Sequence, residues 1–300
     1  MTSSIGYAER SSRQELTDLW LSCFAERKAA VDLFFAHRFH PQNTLVLRID
    51  GLITAMLHML PGEILTETGP VPAHYIYAAA TAPAFRGQGL MGQLMVRAEQ
   101  EGAERGDHYA FLLPADTGLY GFYGKHGFTR FFKTTFCEVS RHELESMVTA
   151  CGTHALNVAA LPQLLKATRD TYVASSPGSA IWSEQAIDYA VRYTAFYGGR
   201  LVTAETNGRI AYALCSATYA GQCEVLEFAA SPRDEGNLCA AILHAVPAEN
   251  YRFRLSKDRA LLDRSVRSTD FGMIKPLTPA AARSSLLQQA SAPYLGLTLD

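Results

Sequence analysis

The run Arg86-Gly87-Gln88-Gly89-Leu90-Met91 is the first place in this sequence where residue types and spacing could do chemistry. It lies between an apolar strand-like segment and a segment of helical periodicity. A helix N-terminus offers unpaired backbone N–H groups and the positive end of the helix dipole. Glycines there let the backbone approach a phosphate closely, and successive amides can cradle a diphosphate. Three readings stand side by side. A Walker-type loop requires Gly-Lys followed by Ser or Thr, and that triplet is absent. The dinucleotide pattern G-x-G-x-x-G is literally present as Gly87, Gly89 and Gly92, with Asp116 about 24 residues further on as a ribose ligand. Against it, Ala82-Pro83-Ala84-Phe85-Arg86 separates the strand from the first glycine, where a dinucleotide fold turns tightly, and a hairpin precedes that strand. A purely structural glycine turn is the third reading.

A second motif follows about 30 residues later: Phe122-Tyr123-Gly124-Lys125-His126-Gly127-Phe128. A phenol is neutral at pH 7 and can donate its proton. Taken together, TAPAFRGQGLMGQLM and LYGFYGKHGF resemble the GNAT superfamily of acetyltransferases, in their R/Q-x-x-G-x-G/A loop and F-Y-x-K-x-G-F signature. Arg86 and Gly89 fit the loop; Met91 stands where Gly or Ala is usual. The resemblance covers residues 5–140 well and the second half weakly. It implies acetyl-CoA as cosubstrate, held at its diphosphate by the amides of Arg86, Gly87, Gln88, Gly89, Leu90 and Met91. It also implies that the backbone of Ala78, Ala79 and Ala80 pairs with the pantetheine arm as an added strand would, and that an N–H in this stretch polarises the thioester. Tyr123 then protonates the leaving thiolate, with Tyr120, one turn earlier, as the fallback donor.

The base is harder to place. No acid lies in HYIYAAATA (74–82). His74, Tyr75 and Tyr77 are nearby but read more simply as structural, and Glu63 and Glu67 read as loop charges that could line an acceptor site. The two-part plan resembles the enhanced-intracellular-survival group of acetyltransferases, whose terminal carboxylate reaches the active site. That resemblance implies a docked APYLGLTLD tail presenting Asp300. Leu295, Leu297 and Leu299 alternate as a strand edge would. A tail that merely caps the second half, and deprotonation relayed by water, are the other options. The third, sterol-carrier-like domain of that group has no room in 300 residues, so their aminoglycoside substrates are not carried over.

These residues need elements to position them. Ser12-x-x-Glu15 has capping-box spacing ahead of a helix through Leu16, Leu19, Trp20 and Cys23. A second helix covers Val31–Ala36. LVLRIDGLITAMLHML reads as a hairpin turning at Asp50-Gly51, and HYIYAAATA as a strand. Leu90, Leu94 and Ala98 line one helix face that stops at Gly106. HYAFLLPAD is a strand, LYGFYGKHG a short helix, and FTRFFKTTFCEVS one long strand. Residues 45–140 therefore predict an α/β (α+β) mixed sheet in a GNAT fold. Beyond a helical stretch over 141–200, LVTAETNGRIAYALC (201–215) echoes the first hairpin and VLEFAASP (225–232) echoes YIYAAATAP. Its following turn, RDEGN, lacks the glycine-rich loop. FGMIKPL reads as the last strand. The expected organisation is a catalytic domain over 1–140, a degenerate second copy over 141–275, and a tail over 276–300.

Composition sets limits. With 48% hydrophobic and 19% charged residues the chain can bury a core. A net charge of −2 provides no broad basic field for nucleic acid or an acidic membrane. No apolar run suits a membrane span or signal peptide, so the cytoplasm is the default. The six cysteines, in no metal-ligand spacing, read as free thiols in a reducing compartment. His37 and His40 read as helix-end residues, His108 and His126 lack metal partners, and no metal is expected. Phe128, Phe131, Phe132 and Phe136 read as strand packing. The expected partner is a small-molecule or peptide amine, with assembly into a homo-oligomer left open. The competing functions are a non-catalytic acyl-CoA sensor and an NAD-dependent oxidoreductase.

Overall fold

The structure is a computed structural model in which residues 2–151, 161–256, 267–289 and 293–297 are described. The chain divides into two units: residues 1–131 with 272–288, and residues 132–271 with 289–300.

The first unit is built on a mixed sheet. Its strands in chain order are β1 (Ser3–Tyr7), β2 (Thr44–Ile49), β3 (Leu52–Thr66), β4 (Gly69–Thr81), β5 (Tyr109–Leu112) and β6 (Thr129–Arg130). Asp50 and Gly51 take φ of 47° and 87°, the backbone that closes a two-residue hairpin between β2 and β3. β1 to β4 pair antiparallel in order, and β5 then pairs parallel to β4. The sheet is thus not the parallel doubly wound sheet a dinucleotide fold needs. Helix α1 (Arg13–Cys23) and α2 (Lys28–His37) pack Trp20, Phe34 and Phe35 against His58 of β3 and Tyr77 of β4. Helix α3 (Leu90–Glu104) buries Leu90, Leu94, Met95 and Ala98, the expected stripe; Gly106 follows at φ 90°. The expected capping box does not form. Ser12 makes no cap hydrogen bond to α1; its Oγ accepts from Arg48, which also reaches Glu15. A cation across the sheet edge competes successfully for both cap oxygens.

The second unit repeats this plan. Strands β8 (Arg200–Thr206) and β9 (Arg209–Cys215) turn at Asn207 and Gly208, both at positive φ. β10 (Gln222–Ala229) pairs antiparallel to β9 and parallel to β11 (Asn250–Leu255). Helix α8 (Glu235–Ala245) buries Leu238, Cys239 and Ile242 in this unit's core, preceded in chain by α5 (Arg141–Cys151), α6 (Pro162–Val173) and α7 (Glu184–Phe196). Hairpin, strand, helix and parallel strand therefore occur twice.

The units exchange strands. FTRFFKTTFCEVS is not one strand: Thr129–Arg130 stays in the first sheet, while β7 (Lys133–Ser140) pairs with β11 and with β12 (Arg267–Asp270) in the second. Conversely β13 (Met273–Pro276), within FGMIKPL, is inserted between β5 and β6 of the first sheet. Alternating apolar residues identify a strand but carry no information on its partner.

Candidate active site

Strand β4 bends where the chemistry was expected. Met56 faces Ala80 and His58 faces Tyr77, so Ala78 and Ala79 oppose the single residue Leu57. This is a β-bulge, and Ala78 sits in it at φ 46°, a left-handed conformation that costs a non-glycine residue about 1–2 kcal/mol. Parallel pairing with β5 runs from Ala73–Tyr109 to Tyr75–Phe111 and goes no further among the described residues. Past Tyr75 the ladder stops, leaving a wedge along which the β4 backbone of Tyr77–Thr81 has no β5 partner among the described residues.

The wedge leads to the glycine-rich turn. A short turn of 3-10 helix (Pro83–Phe85) follows β4, anchored by Ala82 N–H donating to Thr54 O at 2.8 Å. Arg86 Nε donates to Thr81 O at 3.1 Å and so braces the loop. Gly87 and Gly89 have φ of 76° and 74°, and a Cβ on either would meet nothing within 4 Å. The glycines are there for backbone conformation, and the space before the α3 amides is open. Gln88 is exposed, Leu90 is buried, and no acidic residue stands in the first turn of α3. Met91, which departs from the family pattern, packs against the core. Gly92 lies inside the helix; a Cβ there would meet His126 Cε1 at 3.0 Å. The arrangement fits a diphosphate, and the third glycine serves helix packing.

Helix α4 (Leu119–Lys125) carries both tyrosines. Asp116, weighed in the sequence as a ribose ligand, instead caps this helix: its Oδ1 accepts from Gly118 N–H at 2.7 Å and Leu119 N–H at 3.1 Å. The Asp-Thr-Gly triplet was the overlooked signal for that turn. Tyr123 is 9% exposed and packs edge-on to Phe128 in a core shared with Leu90 and Ile76. Burial, with the Asp116 carboxylate adding to it, pushes its phenol up to about 12. Tyr120 lies under the Arg130 guanidinium, 4.1 Å from the ring centroid.

The other candidates separate. Glu63 faces Pro72 and Glu67 lies at the hairpin tip between Thr66 and Gly69. Both stand at the far end of β4; Pro72 is six residues from Ala78, about 20 Å along a strand. They do not line the wedge because β3 and β4 run on as a long hairpin where a loop was expected. His74 is buried and paired through Nδ1 to Asp107 Oδ2 at 2.7 Å, which also receives Arg105 Nε. Tyr75 is buried and stacks on Tyr77. His58, buried beside the bulge, is pushed down to about 3 by loss of solvent, so it does not titrate near neutral pH. His37 ends α2 and His40 precedes a 3-10 turn. Among the described residues no group of three His, Cys, Asp or Glu side chains gathers as a metal site, and no helix is long and apolar enough to cross a membrane.

Residues 293–297 belong to the second unit and are held there. Arg169 and Glu227, both with fully buried side chains, pair at 2.9 Å. Arg169 also donates to Leu295 O, and Trp182 Nε1 joins it. Glu227 accepts from the Tyr294 hydroxyl and from Leu297 N–H. Leu295 and Leu297 are both buried and flank Gly296 at φ 52°, so this stretch is not the alternating edge strand expected. Leu299 and Asp300 lie outside the described residues.

Residues 4–131 match the model of an acetyltransferase (GNAT) domain. No curated protein matches the sequence. Solved structures agree in fold over nearly the whole chain. A GCN5-related N-acetyltransferase from Anabaena variabilis is 17% identical with a TM-score of 0.76, covering 94% of this chain and 74% of that one. A probable N-acyltransferase from Enterococcus faecalis gives 15% and 0.71, over 92% and 73%. Eis1 from Mycobacterium abscessus gives 13% and 0.68, over 92% and 74%. The bulge in β4, the glycine turn at α3 and the tyrosine helix thus all lie within residues 4–131, the part of the chain that matches a GNAT acetyltransferase domain.

Proposed function

We propose that the first unit transfers an acetyl group from acetyl-CoA to the primary amine of a small molecule or peptide, by direct attack, with Tyr123 as general acid. The observation that carries this reading is the wedge: β4 leaves β5 at Tyr75, bulges at Ala78, and ends at an open helix entrance framed by Gly87 and Gly89. The amides from Arg86 to Met91 hold the cosubstrate's diphosphate and the backbone of Ala78–Ala80 pairs with its pantetheine arm. An N–H of that bulge polarises the thioester carbonyl. The amine nitrogen forms its bond to the acyl carbon as the carbon–sulfur bond breaks, and Tyr123 gives its hydroxyl proton to the sulfur. A phenol raised to about 12 keeps that proton throughout the neutral range. The amine's proton goes to a carboxylate that β4 does not supply. Asp300, three residues beyond Leu297, is the proposed acceptor.

Kinetics of the full chain test this. Tyr123→Phe is expected to lower kcat about 100-fold or more while acetyl-CoA affinity stays within about twofold. Equal losses in rate and binding would sink the assignment. Since the phenol is raised, its acid role persists as pH climbs and is lost only near its own titration at about 12. No alkaline fall in kcat below about pH 10 should disappear in Tyr123→Phe. Removing residues 298–300 should raise the pH optimum or abolish turnover, and an unchanged profile removes Asp300. The acid-free wedge strand also favours a second reading, an acyl-CoA sensor, which requires cosubstrate binding with no thiol release across a broad amine panel.

A further inference from the structure

Lys275 stands 149 positions beyond His126 in the chain, yet it meets the helix that carries Tyr123. It lies on β13, opposite Ala110 of β5. Its Nζ donates to His126 O at 2.7 Å and pairs with Glu99 of α3 at 2.5 Å. His126 is the C-terminal cap of α4, and its N–H donates to Tyr123 O at 2.9 Å; Phe128 N–H donates to the same oxygen at 3.2 Å. The last carbonyls of a helix lack intrahelical partners and carry the negative end of its dipole, so an ammonium is suited to this place.

The local sequence is shaped around that ammonium. Gly127 has φ 81°, and a Cβ there would meet Lys275 Cε at 3.1 Å and Nζ at 3.2 Å. A side chain at 127 would be strained and would displace the lysine. The other side of His126 is fixed as well, since its ring lies over Gly92 in the first turn of α3. The helix whose entrance faces the open glycine turn and the helix that bears the tyrosine are therefore tied twice, by Lys275 bridging Glu99 to His126 O and by His126 on Gly92.

We propose that Lys275 is a positioning residue for acetyl transfer: it fixes α4 against α3, and so sets the Tyr123 hydroxyl relative to a thioester whose diphosphate rests at the α3 entrance. This rests on the reading of Tyr123 as the acid. Catalysis is sensitive to such registration, with misplacement of about 1 Å costing up to about 100-fold.

The test uses the full chain carrying 3-fluorotyrosine, with the Tyr123 resonance assigned by its loss in Tyr123→Phe. Lys275→Met is expected to move that resonance, lower kcat about 10-fold and leave the KM for acetyl-CoA within about twofold. Lys275→Arg should restore both signals. In the double variant, Lys275→Met should add nothing to the loss already caused by Tyr123→Phe. A resonance that does not move, or losses that multiply, overturns the proposal. If Tyr123→Phe alone leaves kcat intact while Lys275→Met moves the resonance, the acid assignment falls and the positioning stands. Should Lys275→Met fail to fold, Glu99→Gln, which loosens the lysine from α3, must shift the same resonance for the proposal to survive.

Discussion

The first turn of α3 opens at Gly89 with no acid in it, whereas α8 opens at Asp234 followed by Glu235. Asp234 is nearly buried, takes two hydrogen bonds from Arg209 and one from Ser231, and is held below the usual carboxylate range by Arg209 first. Its charge already complements the helix dipole that a diphosphate would use. The strands beside these helices differ in the same sense. At and just after the bulge in β4 stand Ala78, Ala79 and Ala80; on the equivalent β10, which also shifts register against β9, stands Glu227, engaged by Arg169, Tyr294 and Leu297. One fold plan thus carries, in the first unit, a helix entrance with no acid in its first turn and a strand of alanines beside it. In the second it holds the chain's own carboxylates and its own C-terminal segment. The same backbone pattern therefore carries different side-chain charge in the two units.

The comparison can be broken in three ways. The largest effect is expected from ending the chain before Gly272. Strand β13 hydrogen-bonds on both edges in the first sheet, so its loss takes from β6 its partner and leaves β5 paired to β4 alone among the described residues. Residues 1–271 should fail to give a cooperative thermal transition for the first unit, and a native-like transition would show the exchange to be dispensable. Next, Arg169→Met leaves Glu227 charged, buried and unpaired, which costs about 3–5 kcal/mol. Denaturant unfolding should report it, and Arg169→Leu with Glu227→Leu should recover part of it. A change below about 1 kcal/mol would mean that water reaches the pair. The smallest effect, and the most direct one on the comparison, is Gly89→Asp. A carboxylate at the α3 entrance, at φ 74°, gives the first unit the character of the second and should weaken CoA binding about 100-fold by calorimetry. The reverse change, Asp234→Gly with Glu235→Gln, should create no second CoA site, because residues 294–297 still engage Glu227. A second binding event in the titration would contradict that.

Much of the first unit was legible in residue order. Its hairpin turn at Asp50-Gly51, the α3 stripe ending at Gly106 and the two glycine and tyrosine motifs depend on local φ preferences and helical periodicity, which neighbours in sequence encode. The echo of this plan in the second half was legible for the same reason. What failed was non-local. Ser12 and Glu15 have capping spacing but were taken by Arg48, 36 and 33 positions away. Glu63 and Glu67 looked like loop acids because nothing local announces that β3 continues to Thr66.

From the sequence alone came the expected chemistry: which backbone amides could face a diphosphate, which phenol could give a proton, and that the second half has no glycine turn. The glycine spacing at a helix entrance suggests the first and the RDEGN turn the last, while the role of the phenol is what the resemblance to the GNAT family implies. Only the tertiary structure decided that β7 and β13 change sheets, that Lys275 reaches the tyrosine helix, and that Asp116 caps that helix. It also placed Arg169 and Glu227, 58 positions apart, around residues 294–297. Strand partners and buried charge pairs are chosen by which surfaces can be buried together with every polar group satisfied, and that condition is met in three dimensions, across separations that no local pattern encodes.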